Sequence, residues 1–306
     1  MAHPFEKEYR MSGAIHFPEL TVVVVTYQSQ TITPHIAQTL ANYANVTIVD
    51  NASSDGTADT LARLLPHATL IRNTTNVGFG AANNQGVALA TTTYVLLLNP
   101  DCTLPLEATQ ALLDAAAQYP NAGIIAPQPL RPSGEPQGIF GRAFYHSYKA
   151  APYAIPEGIC CGERIAGCCW LMPTATYRAV GGFDEAFFLY YEDDDFCLRM
   201  LQAGHDCLVQ PAALVCHVGG GGSRPDWRID LLKFHYYARS RQRMMYKYGP
   251  LGSALSFQCK TLLGALFGIP VFSLLLRKKY LVKWLAWGSA MLTPEAWRLS
   301  FSKRNH

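Results

Sequence analysis

Between residues 20 and 126, five short apolar runs alternate with helical patterns, and this alternation narrows the possible folds more than any other feature. Residues 20–27 (LTVVVVTY) are too continuously β-branched for a strand with one wet face, so they predict a strand covered on both sides. A helical pattern follows over 33–43, then a strand over 46–49 ending at Asp50. Asp55 or Thr57 caps a helix running to Leu65. Strands at 69–72, 94–98 and 123–126 alternate with helices at 80–90 and 104–119. Such alternation means βαβ units and an α/β fold, a mostly parallel sheet flanked by helices. Ligands bind beyond the carboxyl ends of strands in sheets of this kind. Here those ends carry Thr26-Tyr27, Asp50-Asn51, Arg72-Asn73 and Asn99-Pro100-Asp101.

A second signal lies outside this repeat. Four consecutive acids, Glu192 to Asp195, directly follow the apolar and aromatic stretch Phe187-Phe188-Leu189-Tyr190-Tyr191. Residues that favour burial deliver this charge, which places some of its carboxylates at the floor of a site. Carboxylates crowded that way serve as bases or metal ligands. The bland reading is an acidic helix start through Phe196 to Leu201, favoured by the helix dipole. The two readings are compatible, because one helix start can present one acid inward and use another as a cap.

Charge divides the chain. From Arg228 onward there are fourteen Lys/Arg against two acids, whereas residues 1–227 carry eleven against twenty. The sign change marks a boundary and points the C-terminal part at an anionic partner. The organisation expected is an N-terminal extension over 1–18, a catalytic domain over 19–227, and a basic, helical, membrane-associating region over 228–306. Residues 261–276 are apolar and precede Arg277-Lys278-Lys279, with Trp284, Trp287 and Trp297 beyond. Sixteen residues are short for a span needing about twenty, so an interfacial or re-entrant segment fits better. The competing reading is an apolar helix docked on the main domain or on a second protomer in a homo-oligomer. Arg239, Arg241 and Arg243 alternate with aromatic residues and Met, a pattern for arginines facing phosphates or pairing with the acidic N-terminal part.

Residues 1–18 lack an apolar leader, and nine cysteines sit at irregular positions, which suggests a reduced cytosolic compartment with free thiols. The pairs Cys160-Cys161 and Cys168-Cys169 lack the C-x2-C spacing of zinc sites and read as buried small residues. Gly78-Phe79-Gly80 follows the third strand and continues into Asn83, so it is not a dinucleotide-binding G-x-G-x-x-G. A helix start receiving a nucleotide or sugar remains open to it.

Seven motifs occur in order: Val22-Val23-Val24-Val25-Thr26-Tyr27, Val49-Asp50-Asn51-Ala52-Ser53-Ser54-Asp55-Gly56, Asn76-Val77-Gly78-Phe79, Leu98-Asn99-Pro100-Asp101, Gly181-Gly182-Phe183-Asp184-Glu185, Tyr191-Glu192-Asp193 and His217-Val218-Gly219-Gly220. Over residues 20–245 this set resembles the family 2 inverting glycosyltransferases of the GT-A fold, a Rossmann-like nucleotide-diphospho-sugar transferase architecture. Within that family it looks most like the rhamnosyltransferases of bacterial surface polysaccharide.

The resemblance implies that Asp50 binds the nucleobase, with Thr26, Tyr27, Asn76 and Gly78 also on the nucleotide sugar. It implies that Asp101 holds Mg2+ or Mn2+ with His217, and that Asn99 contacts ribose or sugar. The family's usual D-x-D has an acid where this chain has Asn99. The catalytic base falls on Asp193, with Glu192 orienting hydroxyls and Asp184 and Arg241 on the acceptor side. Trp170 is either a sugar-stacking platform or a core aromatic. The expected donor is a dTDP- or UDP-sugar, with dTDP-L-rhamnose favoured. The acceptor is a lipid-linked saccharide or polysaccharide, and the protein is cytoplasmic and peripheral on the inner membrane face. The rivals are a nucleic-acid-binding protein using the basic arm, and an inactive scaffold. The acid-lined domain and the apolar 262–276 speak against nucleic acid; intact Asp50, Asp101 and Asp193 speak against a scaffold.

Overall fold

The computed structural model describes residues 16–142, 154–219 and 227–249. The segment 261–276 and Trp284, Trp287 and Trp297 lie outside them. The chain divides into two compact units: Met1–Asp184 with Asp193–Arg224, and Glu185–Glu192 with Pro225–His306.

The first unit is built on strands β1 (His16–Thr26), β2 (Tyr43–Asp50), β3 (Thr69–Arg72), β4 (Tyr94–Leu98), β5 (Cys102–Thr103), β6 (Ala122–Leu130), β7 (Phe140–Gly141), β8 (Cys160–Cys161), β9 (Arg164–Ile165), β10 (Cys169–Pro173) and β11 (Asp206–His217). Its helices are α1 (Thr33–Leu40), α2 (Thr57–Leu64), α3 (Phe79–Ala88), α4 (Leu106–Gln118), α5 (Thr174–Ala179) and α6 (Glu192–Gln202), whose first residue belongs to the second unit. The sheet runs β3-β2-β1-β4-β10-β6-β11-β5, with β8 on β11. Strands β3, β2, β1 and β4 pair in parallel, as do β6 and β11, and β10 runs antiparallel between β4 and β6. Strands β7 and β9 form a separate ribbon.

Side-chain alternation splits the core into two layers. Val22, Val24, Leu96, Leu98 and Leu171 face one way, onto Ile36 of α1, Leu61 of α2 and Leu112 of α4. Val23, Val95, Leu97, Trp170 and Met172 face the other, onto Val87 of α3, Tyr177 of α5 and Phe196 of α6. The β-branched run of β1 is covered on both faces, as its sequence requires.

Several details differ from the sequence reading. Gly56, with φ +89°, is the cap residue of α2, while the Asp55 carboxylate accepts the Thr57 amide at 3.1 Å. Strand β6 continues past the strand read at 123–126, through Pro127 and Pro129 to Leu130. Strand β11 was not anticipated: Pro211 sits inside it, and its register on β6 jumps between Gln210 and Leu214, which breaks any alternating pattern.

The second unit contains α7 (Trp227–Tyr248). The aromatic stretch before the acids packs on this helix. Phe188 stacks on Tyr236 with centroids 3.9 Å apart, the Tyr191 hydroxyl donates to the Tyr237 oxygen at 3.1 Å, and Ser240 donates to the Leu189 carbonyl at 2.9 Å. Arg243 lies over the Phe187 ring. Among the described residues no helix is long and apolar enough to cross a membrane.

Candidate active site

Parallel pairing brings Thr26 opposite Asp50 at the carboxyl ends of β1 and β2. The Thr26 hydroxyl donates to Asp50 Oδ1 at 3.1 Å, and the Ser53 amide donates to Oδ2 at 2.9 Å. Asp50 is therefore fixed in orientation and almost fully buried. Tyr27 follows, half-buried, its amide donating to Ser29 Oγ.

Asn51, which the sequence reading left without a role, is the hub of the neighbouring loop. Its Oδ1 accepts from the Val77 amide at 3.0 Å and from Asn73 Nδ2 at 3.1 Å. Its Nδ2 donates to Asn76 Oδ1 at 2.8 Å and to the Gly78 carbonyl at 3.2 Å. Asn76 Oδ1 also accepts the Gly78 amide. Asn76 and Gly78 thus shape the entry to α3. Gly78, with φ 94° and ψ 166°, holds a backbone conformation essentially reserved for glycine. A polar residue ending a strand in D-N-A-S-S was the available sign of Asn51, but its partners lie more than twenty residues away.

The turn after β4 forms the second part. The Cys102 amide donates to the Asn99 carbonyl at 3.0 Å, closing a turn around Pro100-Asp101. The Asn99 amide donates to the Cys168 carbonyl at 2.9 Å. Strand β5 pairs with the end of β11, with Cys102 opposite His217. His217 Nε2 lies 3.5 Å from Asp101 Oδ1. Burial works to lower the His217 pKa, but the hydrogen bond to Asp101 and the charges of Cys168 and Asp101 outweigh it and raise the value. A buried carboxylate beside an imidazole is a donor set that fits a divalent cation.

The acid run separates into distinct tasks. Asp195 is fully buried and accepts from Arg199 Nε at 2.8 Å, one helical turn on. Asp194 is buried, with Arg164 Nη1 4.0 Å from its Oδ2. Asp193 is half-buried and accepts the Gly167 amide on Oδ2 at 3.2 Å and the Asp194 amide on Oδ1 at 2.9 Å. Loss of water raises the Asp193 pKa; the amides of Asp194 and Gly167 and the Arg164 charge oppose this without cancelling it. A Cβ on Gly167 would stand 3.1 Å from the Asp193 Cβ, a tight contact that would press on the Asp193 side chain. Gly167 and Arg164 were not singled out as site residues in the sequence; the glycine opening an apolar run was the one visible hint.

Gly167 and Cys168 are adjacent and serve both parts. The Gly167 amide holds Asp193, and the Cys168 carbonyl holds the turn that carries Asp101. One short segment therefore links the base candidate to the metal-site candidate.

Trp170 corrects the stacking-platform expectation. It is 1% exposed, packs against both Phe183 and Phe196, and donates its indole N–H to the Ala166 carbonyl, so it is a core aromatic with no face open to a sugar. Asp184 is half-buried at the end of the turn that Asn84 clamps through the Phe183 amide and carbonyl. Within the second unit, Glu192 is buried and Arg241 is half-buried on α7. Tyr190 and Tyr191, just before the acids, both have left-handed backbone, φ 67° and 65°. Such conformations are costly for large side chains and cluster at functional sites.

Residues 21–169 match the family model described as Glycosyl transferase family 2, and residues 160–218 match that of the N-terminal domain of galactosyltransferase. The N-acetylglucosaminyl-diphospho-decaprenol L-rhamnosyltransferase of Mycobacterium tuberculosis is 29% identical over 239 residues, covering 65% of this chain and 75% of that protein. The low-salt glycan biosynthesis hexosyltransferase Agl10 of Haloferax volcanii is 25% identical over 203 residues, 59% of this chain and 61% of that one. Two solved structures share the fold at 14% identity and a TM-score of 0.55. GalNAc-T7 with UDP, GalNAc and Mn2+ is matched over 79% of this chain and 54% of its own. The mannosyltransferase PcManGT from Pyrobaculum calidifontis with GDP-Man and Mn2+ is matched over 94% and 88%. The fold is GT-A-like, and the chain is a glycosyltransferase carrying a family 2 domain.

Proposed function

We propose that this family 2 glycosyltransferase moves L-rhamnose from dTDP-rhamnose to a hydroxyl of a lipid-linked saccharide, inverting the anomeric carbon. The sugar and the acceptor class rest on the mycobacterial relative's name, which states a rhamnosyl transfer to a lipid-linked diphosphate sugar; the dTDP carrier rests on the family resemblance. The observation that carries the mechanism is the Gly167-Cys168 segment, which ties a desolvated carboxylate to the Asp101–His217 pair.

Asp50 accepts hydrogen bonds from the nucleobase or ribose, held in place by Thr26 and Ser53. Asp101 and His217 would hold Mg2+ or Mn2+, which when bound neutralises charge building on the departing nucleoside diphosphate. Asn99 in place of a second acid lowers the negative charge of that site. Asp193 takes the proton of the acceptor hydroxyl while that oxygen bonds to the anomeric carbon and the bond to diphosphate breaks on the opposite face. One displacement needs one base and no enzyme nucleophile, unlike a hydrolase with two opposed carboxyl groups. The raised pKa suits Asp193 to this task, since it makes the carboxylate a stronger base. In this reading the basic region 228–306 keeps the enzyme on the cytoplasmic face of the membrane, near its lipid-linked acceptor.

A thermal-shift screen of UDP, dTDP and GDP, each with and without Mn2+, tests the donor site. Metal-dependent stabilisation by dTDP supports the reading through linkage. A folded protein that responds to no nucleotide would return the inactive scaffold as the better account. Partition of the chain to anionic vesicles in preference to duplex DNA tests the C-terminal assignment.

A further inference from the structure

Beside the Asp101–His217 pair lie two thiols that the transfer reaction does not use, and with His217 they form a group of possible ligands. Cys102, Cys168 and His217 each offer one ligand atom, and these atoms lie within 4.8 Å of one another. Three separate segments deliver them: the start of β5, the residue preceding β10, and the end of β11. Strand pairing sets Cys102 opposite His217, and the Cys102 thiol reaches the Cys168 carbonyl at 3.5 Å. Both thiols are nearly inaccessible, at 1% and 3% exposure, while the His217 side chain keeps 18%. The group is therefore reached from the His217 and Asp101 side.

We propose that Cys102, Cys168 and His217 form a binding site for a thiophilic divalent metal, Zn2+ by chemical class, with a fourth position open toward Asp101. Two cysteines, one histidine and an open position match a zinc donor set. Around a tetrahedral zinc with Zn–S of about 2.3 Å, sulfur ligands stand roughly 3.8 Å apart, so these donors need to draw in by about 1 Å at most. Magnesium, which requires oxygen ligands and octahedral geometry, is excluded from this position. On binding, the two thiols lose their protons to solvent and two Zn–S bonds form, with no change of oxidation state.

The proposal rests in one respect on the transfer reading. His217 serves both metals, so a zinc ion held by the cysteines takes the imidazole away from the donor's metal. Zinc then acts as an inhibitor where Mg2+ or Mn2+ supports the reaction.

The test uses Co2+ alone as a spectroscopic probe on the full chain. One equivalent should give a thiolate-to-cobalt charge-transfer band together with the strong visible bands of a tetrahedral ion, and Zn2+ should abolish both. Cys102→Ala and Cys168→Ala should each lose the charge transfer and weaken Zn2+ binding by more than about a hundredfold, since changes outside the ligand shell alone cost about tenfold to a hundredfold. Circular dichroism and the metal-dependent nucleotide shift show that each variant is folded; if one is not, Cys→Ser at that position takes its place. Cobalt bound without a thiolate band, or with the same band in the double variant, would overturn the proposal. If that happens while the Mn2+-dependent nucleotide shift persists, the zinc site fails and the transfer reading stands. A thiolate band without any nucleotide response would reverse that outcome.

Discussion

The loop after β2 and the start of α6 each hold a carboxylate by two hydrogen bonds, yet they are built differently. Asp50 takes a hydroxyl and an amide within a loop that Asn51 cross-links four times. Asp193 takes two amides, and desolvation still pushes its pKa up. Counting hydrogen bonds does not identify the reactive acid. The first region spends its polar groups on rigidity, whereas the second keeps a carboxylate in a state that burial disfavours.

Asp193→Asn should break this contrast most sharply. Transfer should fall by about a hundredfold to ten-thousandfold, with dTDP or UDP binding by thermal shift unchanged; full turnover would remove Asp193 from the chemistry. In the parent enzyme, kcat/KM should rise with pH through a midpoint above the ordinary aspartate range.

Stability offers an independent reading of the same residue. A carboxyl whose folded-state pKa is raised imposes no penalty below its unfolded value, and its penalty appears as pH rises through the folded one. Asp193→Asn should therefore melt above the parent at neutral pH, with the gap closing on acidification. A gap that widens as pH falls would contradict burial as the cause.

On the rigid side, Asn51→Ala leaves buried partners without bonds and should cost about 2 kcal/mol by denaturant unfolding. A loss confined to activity would mean that the loop is not held as described. Gly167→Ala pushes on Asp193 and should lower kcat about tenfold with donor KM little changed, because small misplacements of a reacting group are costly. Thr26→Val removes one of the two bonds to Asp50 and should cost about 1 kcal/mol or less, with a few-fold loss of nucleotide affinity in titration.

The parallel half of the sheet was legible because β-branched runs and strand-end acids are local signals. Strands β3 and β4 fall at residues 69–72 and 94–98 as read, Asp50 ends β2, and Asp101 sits in the turn after β4. The antiparallel half was much less so. Pro211 and the irregular register hid β11, although that strand carries His217. Four adjacent acids looked like one feature, but their tasks depend on Arg164, Gly167 and Arg199, which only tertiary packing selects. The cysteines illustrate the same limit. Cys102 and Cys168 meet across 66 positions, a contact no local spacing announces.

The Gly167-Cys168 segment also acts as a ruler. In the proposed reading, the gap between the leaving group's mount and the base is set by one peptide unit and its two flanking hydrogen bonds, not by the loops around it. Those loops can lengthen or change residues to admit a different sugar or acceptor while the reacting span stays fixed. Selection for new specificity can thus work on the periphery without re-solving the chemistry at the centre.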